Sequence, residues 1–235
     1  KLKILVNKLS AGNFDEVIFE ATYLNKKHPK LEVFYNLLSL GYQGKGEYEK
    51  SIDLLENALK KSKNNINFLN NLGLSYYKKK EYDPAEKYFQ KVLEIKPNYI
   101  NTLNNLAALY EEINHVEKSE DLLKKSIKIN SEVIETNYNL ASLLQSIGKF
   151  DEAKIYYKKI LKLNENFTKA DRGIAMLEKY NSSNDHIKIM EKKIKNEKLH
   201  KSNIIDLSFA LGKVYEDIKD YEKSFFYITK ANQLK

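Results

Sequence analysis

Apolar, small and turn-forming positions recur along the chain at intervals of 34 residues. One column is apolar: Ile4, Leu38, Leu72, Leu106, Leu140 and Ile174. A second is mostly aromatic: Phe14, Tyr48, Tyr82, Val116 and Phe150. A third holds small or medium side chains: Val17, Ser51, Ala85, Ser119 and Ala153. Self-similarity at a fixed period is the signature of a repeat architecture, so each period is expected to form one structural unit.

The period at 66–99 shows the unit most clearly. Its first half carries apolar or small residues with the spacing of one helical face: Leu69, Leu72, Gly73 and Tyr76. Its second half repeats that spacing after a turn at Lys79–Glu81: Ala85, Tyr88, Phe89, Val92 and Leu93. Pro97 ends the second segment, because proline cannot continue the helical hydrogen-bond pattern. The unit is therefore predicted to be a helix, a tight turn and an antiparallel helix.

Small residues and glycines explain how such a unit closes. Gly73 and Ala85 leave space for the two helices to approach each other. A fourth column lies in the predicted turns: Gly12, Gly46 and Gly148, interrupted by Lys80 and Asn114. Glycine ends a helix by adopting the left-handed conformation, and asparagine is its best substitute, so Lys80 fits this role less well. One hairpin cannot bury its apolar face alone, so neighbouring hairpins must stack.

With these columns in place, the chain resembles the tetratricopeptide repeat family over nearly its whole length. The resemblance implies an all-α fold, an α-solenoid in which antiparallel helix pairs form a right-handed superhelix of about seven repeats. A regular array is expected at 1–167, with units at about 1–31, 32–65, 66–99, 100–133 and 134–167. A degenerate repeat is expected at 168–204, and the last repeat, 205–235, is expected to be truncated within its second helix.

The degenerate repeat departs from the pattern at its turn and in its second helix. Ser182, Ser183 and Asn184 lie at the turn. The helix that is predicted to begin near Asp185 keeps few apolar positions: Ile187, Met190 and Ile194. Loose packing or a bend in the array is expected here.

Composition changes this picture little. The net charge is +8, but Arg172 is the single arginine among many lysines, and base recognition depends heavily on guanidinium groups. Nucleic acid is therefore not expected as a partner. No apolar run approaches the roughly 20 residues of a membrane-spanning helix. The chain has no cysteine, which is compatible with a reducing compartment, and a cytoplasmic location is expected.

Residues that would support catalysis are not grouped in the sequence. The four histidines show no metal-ligand spacing: His28, His115, His186 and His200. Gly41, Gly44 and Gly46 belong to a predicted helix and its turn, not to a phosphate-binding loop. Neither a catalytic site, a metal site nor a cofactor is expected in this chain.

Asparagine is the polar residue that follows the repeat. Three asparagines precede the apolar column of successive first helices: Asn71, Asn105 and Asn139. Others lie one residue or one turn earlier: Asn36, Asn70, Asn104, Asn67 and Asn101. The family resemblance implies that first helices line a concave groove, where Tyr77 and Tyr138 would add apolar contacts. An amide there offers both a donor and an acceptor to a peptide backbone; the alternative is that these asparagines pack one helix against the next.

The function expected from these features is a non-catalytic scaffold that binds a protein or an extended peptide segment. Similar asparagine ladders hold the substrate backbone in some glycosyltransferase repeat arrays. The last repeat, from Phe209 to Asn232, resembles the repeat ahead of the catalytic domain in bacterial tetratricopeptide–sulfotransferase proteins. The alternative is therefore the substrate-docking region of a larger transferase. Self-association through apolar residues of the last repeat, Phe225, Phe226 and Ile228, is a further possibility.

Overall fold

A computed structural model describes residues 2–235, and every one of these residues lies in a helix or in the short segments between helices. Lys1, where the first predicted repeat begins, lies outside the described residues. The chain forms two compact units, the first ending at Ile129 and the second running from Asn130 to Lys235. The predicted repeat boundaries remain a prediction.

The first unit contains four helical hairpins. Their helices are α1 (Leu2–Ser10), α2 (Phe14–Lys27), α3 (Glu32–Gly44), α4 (Tyr48–Leu59), α5 (Ile66–Lys78), α6 (Tyr82–Ile95), α7 (Ile100–Glu112) and α8 (Val116–Ile129). The second unit contains α9 (Ile134–Ser146), α10 (Phe150–Leu163), α11 (Thr168–Leu177), α12 (Asp185–Ile194), α13 (Lys201–Asp217) and α14 (Tyr221–Leu234). Odd-numbered helices are called first helices below, and even-numbered helices are called second helices.

In the hairpin of α5 and α6, the two helices approach so closely that position 73 has no room for a side chain larger than that of glycine. A Cβ atom at Gly73 would lie 2.7 Å from Cε1 of Phe89 and 3.3 Å from the carbonyl oxygen of Ala85. Phe89 is fully buried, so its ring has no space into which to move. In the last hairpin, the Ser224 hydroxyl donates a hydrogen bond to the Gly212 carbonyl oxygen at 2.8 Å. The small-residue columns therefore set the distance between paired helices.

The turns between paired helices use a left-handed residue even where glycine is missing. Positive φ angles occur at every such turn of the described residues except the one between α11 and α12: Gly12 (80°), Gly46 (77°), Lys80 (66°), Asn114 (60°), Gly148 (79°) and Lys219 (64°). At Lys80 the amide of the following residue, Glu81, donates to the Tyr76 carbonyl oxygen at 2.9 Å, and Lys80 itself donates to the Tyr77 carbonyl oxygen at 2.9 Å. These two bonds form a Schellman motif, which satisfies the last carbonyl groups of α5.

Tyrosine hydroxyls link three of the first helices to the second helix that precedes them. In the first unit, Tyr76 donates to Glu56 at 2.9 Å and Tyr110 donates to Glu86 at 2.7 Å. Burial, and then the hydrogen bond to Glu86, raise the pKa of Tyr110 to about 12, so the phenol stays a donor. The sequence pattern placed Tyr76 on an apolar helix face and gave no sign of its carboxylate partner. In the second unit, Tyr215 donates to Glu191 in the same way.

In the repeat that the sequence identified as irregular, α11 and α12 do not form a closed hairpin, and a buried polar network helps to hold them. α11 and α12 each pack against α13, while they make few contacts with each other. Asp171 of α11 is fully buried, and the Lys193 Nζ of α12 donates to both of its oxygens, at 2.9 and 2.8 Å. The His186 Nε2 lies 2.9 Å from Asp171 Oδ1, and the Tyr180 hydroxyl lies 2.6 Å from the His186 Nδ1. Because a buried ion pair is costly to break, this network holds α12 in place. Apolar packing adds to it, since Ile187 and Met190 are buried in a core cluster with residues of α13.

Replacing Lys80 by glycine should stabilise the protein. A non-glycine residue in the left-handed conformation is disfavoured by about 1–2 kcal/mol, so Lys80→Gly is expected to raise the free energy of unfolding by about 1 kcal/mol, measured by urea denaturation. The control is Lys91→Gly, at an exposed lysine inside α6, which should lower that free energy by about 1 kcal/mol because glycine is unfavourable in a helix interior. A destabilised Lys80→Gly variant would contradict the turn geometry.

Leu106 tests the packing between hairpins. Its side chain is 3% exposed and belongs to a core cluster with Phe89, Leu109 and Tyr110. Leu106→Ala should leave a cavity and lower the free energy of unfolding by about 2–5 kcal/mol. Ile95→Ala is the control, because Ile95 is 45% exposed and its truncation should change stability by about 0.5 kcal/mol or less. Equal melting curves for Leu106→Ala and the unmodified chain would rule out this packing register.

Candidate protein-binding surface

The first helices of the first unit lie side by side. α3 packs against α5, and α5 packs against α7. Among the described residues, the second helices α4 and α6 do not pack against each other in this way. First helices are therefore closer together than second helices, which places α3, α5 and α7 on the inner side of this unit. The surface formed by these three helices is called the first-helix face.

Asparagine amides on the first-helix face bond to one another from helix to helix. The Asn71 Nδ2 donates to the Asn36 Oδ1 at 3.1 Å, and the Asn105 Nδ2 donates to the Asn70 Oδ1 at 3.1 Å. A longer contact of 3.4 Å joins the Asn70 Nδ2 to the Asn71 Oδ1. These four side chains, called the amide ladder, connect α3, α5 and α7. The ladder fixes the orientation of each amide before any ligand is present.

Members of the predicted asparagine set differ in burial. Asn36, Asn71 and Asn105 are half-buried and reach the surface. Asn70 is 7% exposed and Asn104 is 2% exposed, so both pack at the interface between helices. The Asn70 Oδ1 also accepts a hydrogen bond from the Thr102 hydroxyl at 2.7 Å. Helix packing therefore accounts for Asn70 and Asn104, and ligand contact by the half-buried members stays a prediction.

The remaining predicted residues of the first unit lie around the ladder. Asn67 and Asn101 are exposed, and the Tyr99 hydroxyl donates to the Asn67 Oδ1 at 3.0 Å. Tyr77 is half-buried, and its ring centroid is 6.3 Å from that of Tyr82. Burial, together with the nearby Glu112 carboxylate, raises the pKa of Tyr77, so its phenol is neutral at physiological pH.

Sequence reasoning missed the role of Gln43 in holding this face. The Gln43 Nε2 donates to the Asn71 carbonyl oxygen at 2.9 Å and to the Ser75 hydroxyl at 2.8 Å. Ser75 is fully buried and also lies 2.8 Å from the Ser51 hydroxyl. Polar pairing of this kind depends on which side chains meet in three dimensions, and it leaves no periodic signal in the sequence.

In the second unit, Tyr138 lines a cavity and Asn139 lies half-buried beside it in the sequence. The Tyr138 ring packs edge-on against Tyr157 and Phe167, with centroid distances of 6.1 and 5.5 Å. Burial raises the pKa of Tyr138; the Asp206 carboxylate raises it further, and the charge of Arg172 opposes both effects. The cavity has a volume of about 440 Å³.

Arg172 and Lys169 also line this cavity, and sequence reasoning did not select them. Arg172 follows Tyr138 by 34 residues, so it continues the column of Asn36, Asn70 and Asn104. Lys169 continues the column of Asn67 and Asn101 in the same way. Following the asparagine columns two repeats further would have found both residues. A pattern of asparagines does not reach them, because one column changes to Tyr138 and then Arg172 and the other changes to Glu135 and then Lys169.

Other chemistry is scarce in the described part of the chain. Residues 2–235 contain no group of three or more His, Asp or Glu side chains arranged to hold a metal ion. None of the helices that the structure describes is long and apolar enough to cross a membrane. On α14, the rings of Phe225 and Phe226 are 74% and 59% exposed. Self-association through this helix remains a prediction.

Comparison with known proteins places these repeats in a family. Tetratricopeptide repeat models match residues 66–99, 88–121, 134–167 and 205–235, and a TPR repeat model matches 42–80. Together these matches span more than half of the chain. No curated protein sequence matches the chain.

Solved structures share the fold at low sequence identity. A thermophilic tetratricopeptide repeat protein from Thermus thermophilus is 18% identical, with a TM-score of 0.69 over 75% of this chain and 96% of that one. A tetratricopeptide repeat protein from Parabacteroides merdae is 16% identical, with a TM-score of 0.61 over 99% of this chain and 91% of that one. A chain of the Cut9–Hcn1 hetero-tetramer of the APC/C is 12% identical, with a TM-score of 0.73 over 98% of this chain and 45% of that one. The predicted all-α solenoid is confirmed, and the chain belongs to the tetratricopeptide repeat family.

Proposed function

We propose that this chain is a protein-interaction scaffold that binds an extended peptide segment along the first-helix face, with the amide ladder contacting the peptide backbone. The observation that carries the proposal is the set of half-exposed asparagines whose orientation is fixed by their mutual hydrogen bonds. The repeat fold itself supports an interaction role in general.

The ladder retains hydrogen-bonding capacity for a ligand. A primary amide has two N–H donors and a carbonyl oxygen with two lone pairs. Asn71 and Asn105 each use one donor within the ladder, which leaves one N–H group on each side chain for a partner. An extended peptide needs both kinds of group, because each of its residues other than proline has one N–H and one C=O.

Spacing along the face also suits an extended segment. Packed helices lie about 8–10 Å apart, and an extended chain advances about 3.3 Å per residue. One ladder asparagine would therefore meet about every third residue of the peptide. Asn70 is nearly buried and would not contact the peptide itself. Its side-chain oxygen, Oδ1, accepts a hydrogen bond from Asn105 and so orients the Asn105 amide.

Fixed orientation favours binding through entropy. An asparagine that is already held in place loses little conformational freedom when a peptide binds. A larger share of the free energy of each hydrogen bond then contributes to the affinity. Contacts to a backbone read the extended shape of the partner more than its side chains. We therefore expect broad sequence tolerance along the ladder, with specificity supplied elsewhere.

The docking region of a larger sulfotransferase or glycosyltransferase is the alternative form of this proposal. The amide ladder supports it equally, because a transferase substrate that is an extended protein segment presents the same backbone groups. The two forms differ in what is linked to the repeats, so the coding sequence beyond Lys235 distinguishes them. A strand followed by a phosphate-binding loop would favour a sulfotransferase.

Removing two ladder amides should weaken peptide binding. A library of short, unbiased displayed peptides is selected on the full chain, and the affinity of the enriched peptides is measured by titration calorimetry. Asn71→Ala with Asn105→Ala should weaken binding about tenfold, since a neutral hydrogen bond contributes about 0.5–1.5 kcal/mol. The matched control is Asn57→Ala with Asn98→Ala, because both residues are exposed and lie off the first helices.

Two results would contradict the proposal. Enriched peptides that bind the ladder variant as tightly as the unmodified chain would show that the ladder is not the contact surface. An equal loss in the control variant would show a general effect of asparagine removal. Circular dichroism of both variants checks that the helices remain.

A further inference from the structure

The cavity in the second unit presents more hydrogen-bond donors than acceptors. Arg172 and Lys169 bring two positive charges to its wall, and Asp206 brings one negative charge. The geometry points to this cavity as the binding site for one acidic side chain, aspartate or glutamate, of a bound peptide segment. This inference rests on the proposed peptide-binding function and adds a specificity-determining contact to it.

Arg172 is held in place yet keeps donors for a ligand. Its Nη1 lies 3.4 Å from the Asp206 Oδ1, and its guanidinium carbon lies 4.7 Å from the centroid of the Phe209 ring. The side chain is 41% exposed, so it is not enclosed by these contacts. A guanidinium group has five N–H donors, of which the long contact to Asp206 uses one. The remaining fork has the planar geometry that suits a carboxylate.

Lys169 adds a second, uncommitted cation. Its Nζ lies 5.7 Å from the centroid of the Tyr138 ring, and no carboxylate of the described residues lies within 4.0 Å of it. Lys169 and Arg172 are three residues apart on α11, so they lie on neighbouring turns of the same face. An anion between them would contact both charges.

Gln145 contributes donors because its carbonyl oxygen is already occupied. The Tyr157 hydroxyl donates to the Gln145 Oε1 at 2.9 Å. Burial raises the pKa of Tyr157, which keeps this phenol protonated and the amide in one orientation. The Nε2 of Gln145 therefore presents its N–H groups to the cavity. Three donor side chains from α9 and α11 thus converge where an acceptor-only group would fit.

Charge balance favours a carboxylate over a phosphate. Two cations and one carboxylate leave a single positive charge, which one aspartate or glutamate neutralises. A phosphate dianion would leave the cavity negative and would be repelled by Asp206, whose side chain is only 12% exposed. The volume of about 440 Å³ exceeds that of a carboxylate group. Tyr138 and Met176 line the additional space and can contact the methylene groups of an acidic side chain.

A single arginine makes the site directly observable. In a ¹⁵N-labelled full chain, Arg172 gives the only arginine Nε–H resonance, because no other arginine is present. N-acetyl glutamic acid α-amide is titrated against the chain, with N-acetyl glutamine amide as the uncharged comparison. The glutamate probe should shift the Arg172 signal saturably, with a dissociation constant on the order of millimolar. The glutamine probe should not shift it.

Variants assign the effect to the cavity. Lys169→Met removes a cation that has no ion pair to lose, so it should fold normally and weaken the glutamate probe about fivefold. Arg172→Met should abolish binding, followed through the Gln145 side-chain amide signals instead. Lys162→Met is the control, since Lys162 is an exposed lysine of α10 outside the cavity lining. The control should bind the probe like the unmodified chain.

Several outcomes would overturn the inference. They are equal binding of the glutamine probe, no shift at Arg172, and an unchanged affinity in Lys169→Met. Tighter binding of N-acetyl phosphoserine amide would assign the cavity to phosphate. Binding of N-acetyl alanine with a free carboxyl group, but not of the glutamate probe, would assign it to a chain terminus. These probes are too small to span the amide ladder, so their failure would leave the peptide-binding proposal standing.

Discussion

The structure depends on how closely the two helices of each hairpin approach. That distance is set where Gly73 meets Ala85 and Phe89, since the first helix has no room for a Cβ atom there. A small side chain on one helix lets a large ring on the other become fully buried. The next hairpin can then pack on a flat, apolar surface. The corresponding positions of α3 and α7 are Ser39 and Ala107, which are small and fully buried, so close pairing of helices continues on both sides of α5.

Much of the fold could be predicted because each hairpin is specified locally. The apolar, small and turn columns each reflect a contact within one or two repeats, so a 34-residue period reports them all. Even the missing glycine at Lys80 did not change the turn, because the helix ends on either side dictate it. The Tyr76–Glu56 and Gln43–Ser75 hydrogen bonds could not be predicted, because they depend on which side chains of neighbouring hairpins come into contact.

In the candidate sites too, the sequence reveals which positions repeat but does not reveal which side chains meet. A column of asparagines was visible, but its separation into half-exposed Asn71 and nearly buried Asn70 depends on helix rotation, which the period does not give. In the second unit the same column continues as Tyr138 and Arg172, with different chemistry. Within that column Asn70 is nearly buried whereas the Arg172 side chain is 41% exposed, so the exposure of a position changes along the repeats together with its residue type. Geometry is therefore the more reliable guide to the surface, and residue type is the guide to its ligand.

The tyrosine–carboxylate links between neighbouring hairpins have a consequence for folding kinetics. Hydrogen bonds between repeats join residues that are close in the chain, 20 positions apart for Tyr76 and Glu56 and 38 apart for Thr168 and Asp206. Contact order is therefore low, and proteins with low contact order fold quickly. Each hairpin needs only its neighbours to be in place, so assembly can begin at several points and spread. The same locality allows one hairpin to open while distant hairpins of its unit stay folded, so proteases can cut the chain without its global unfolding.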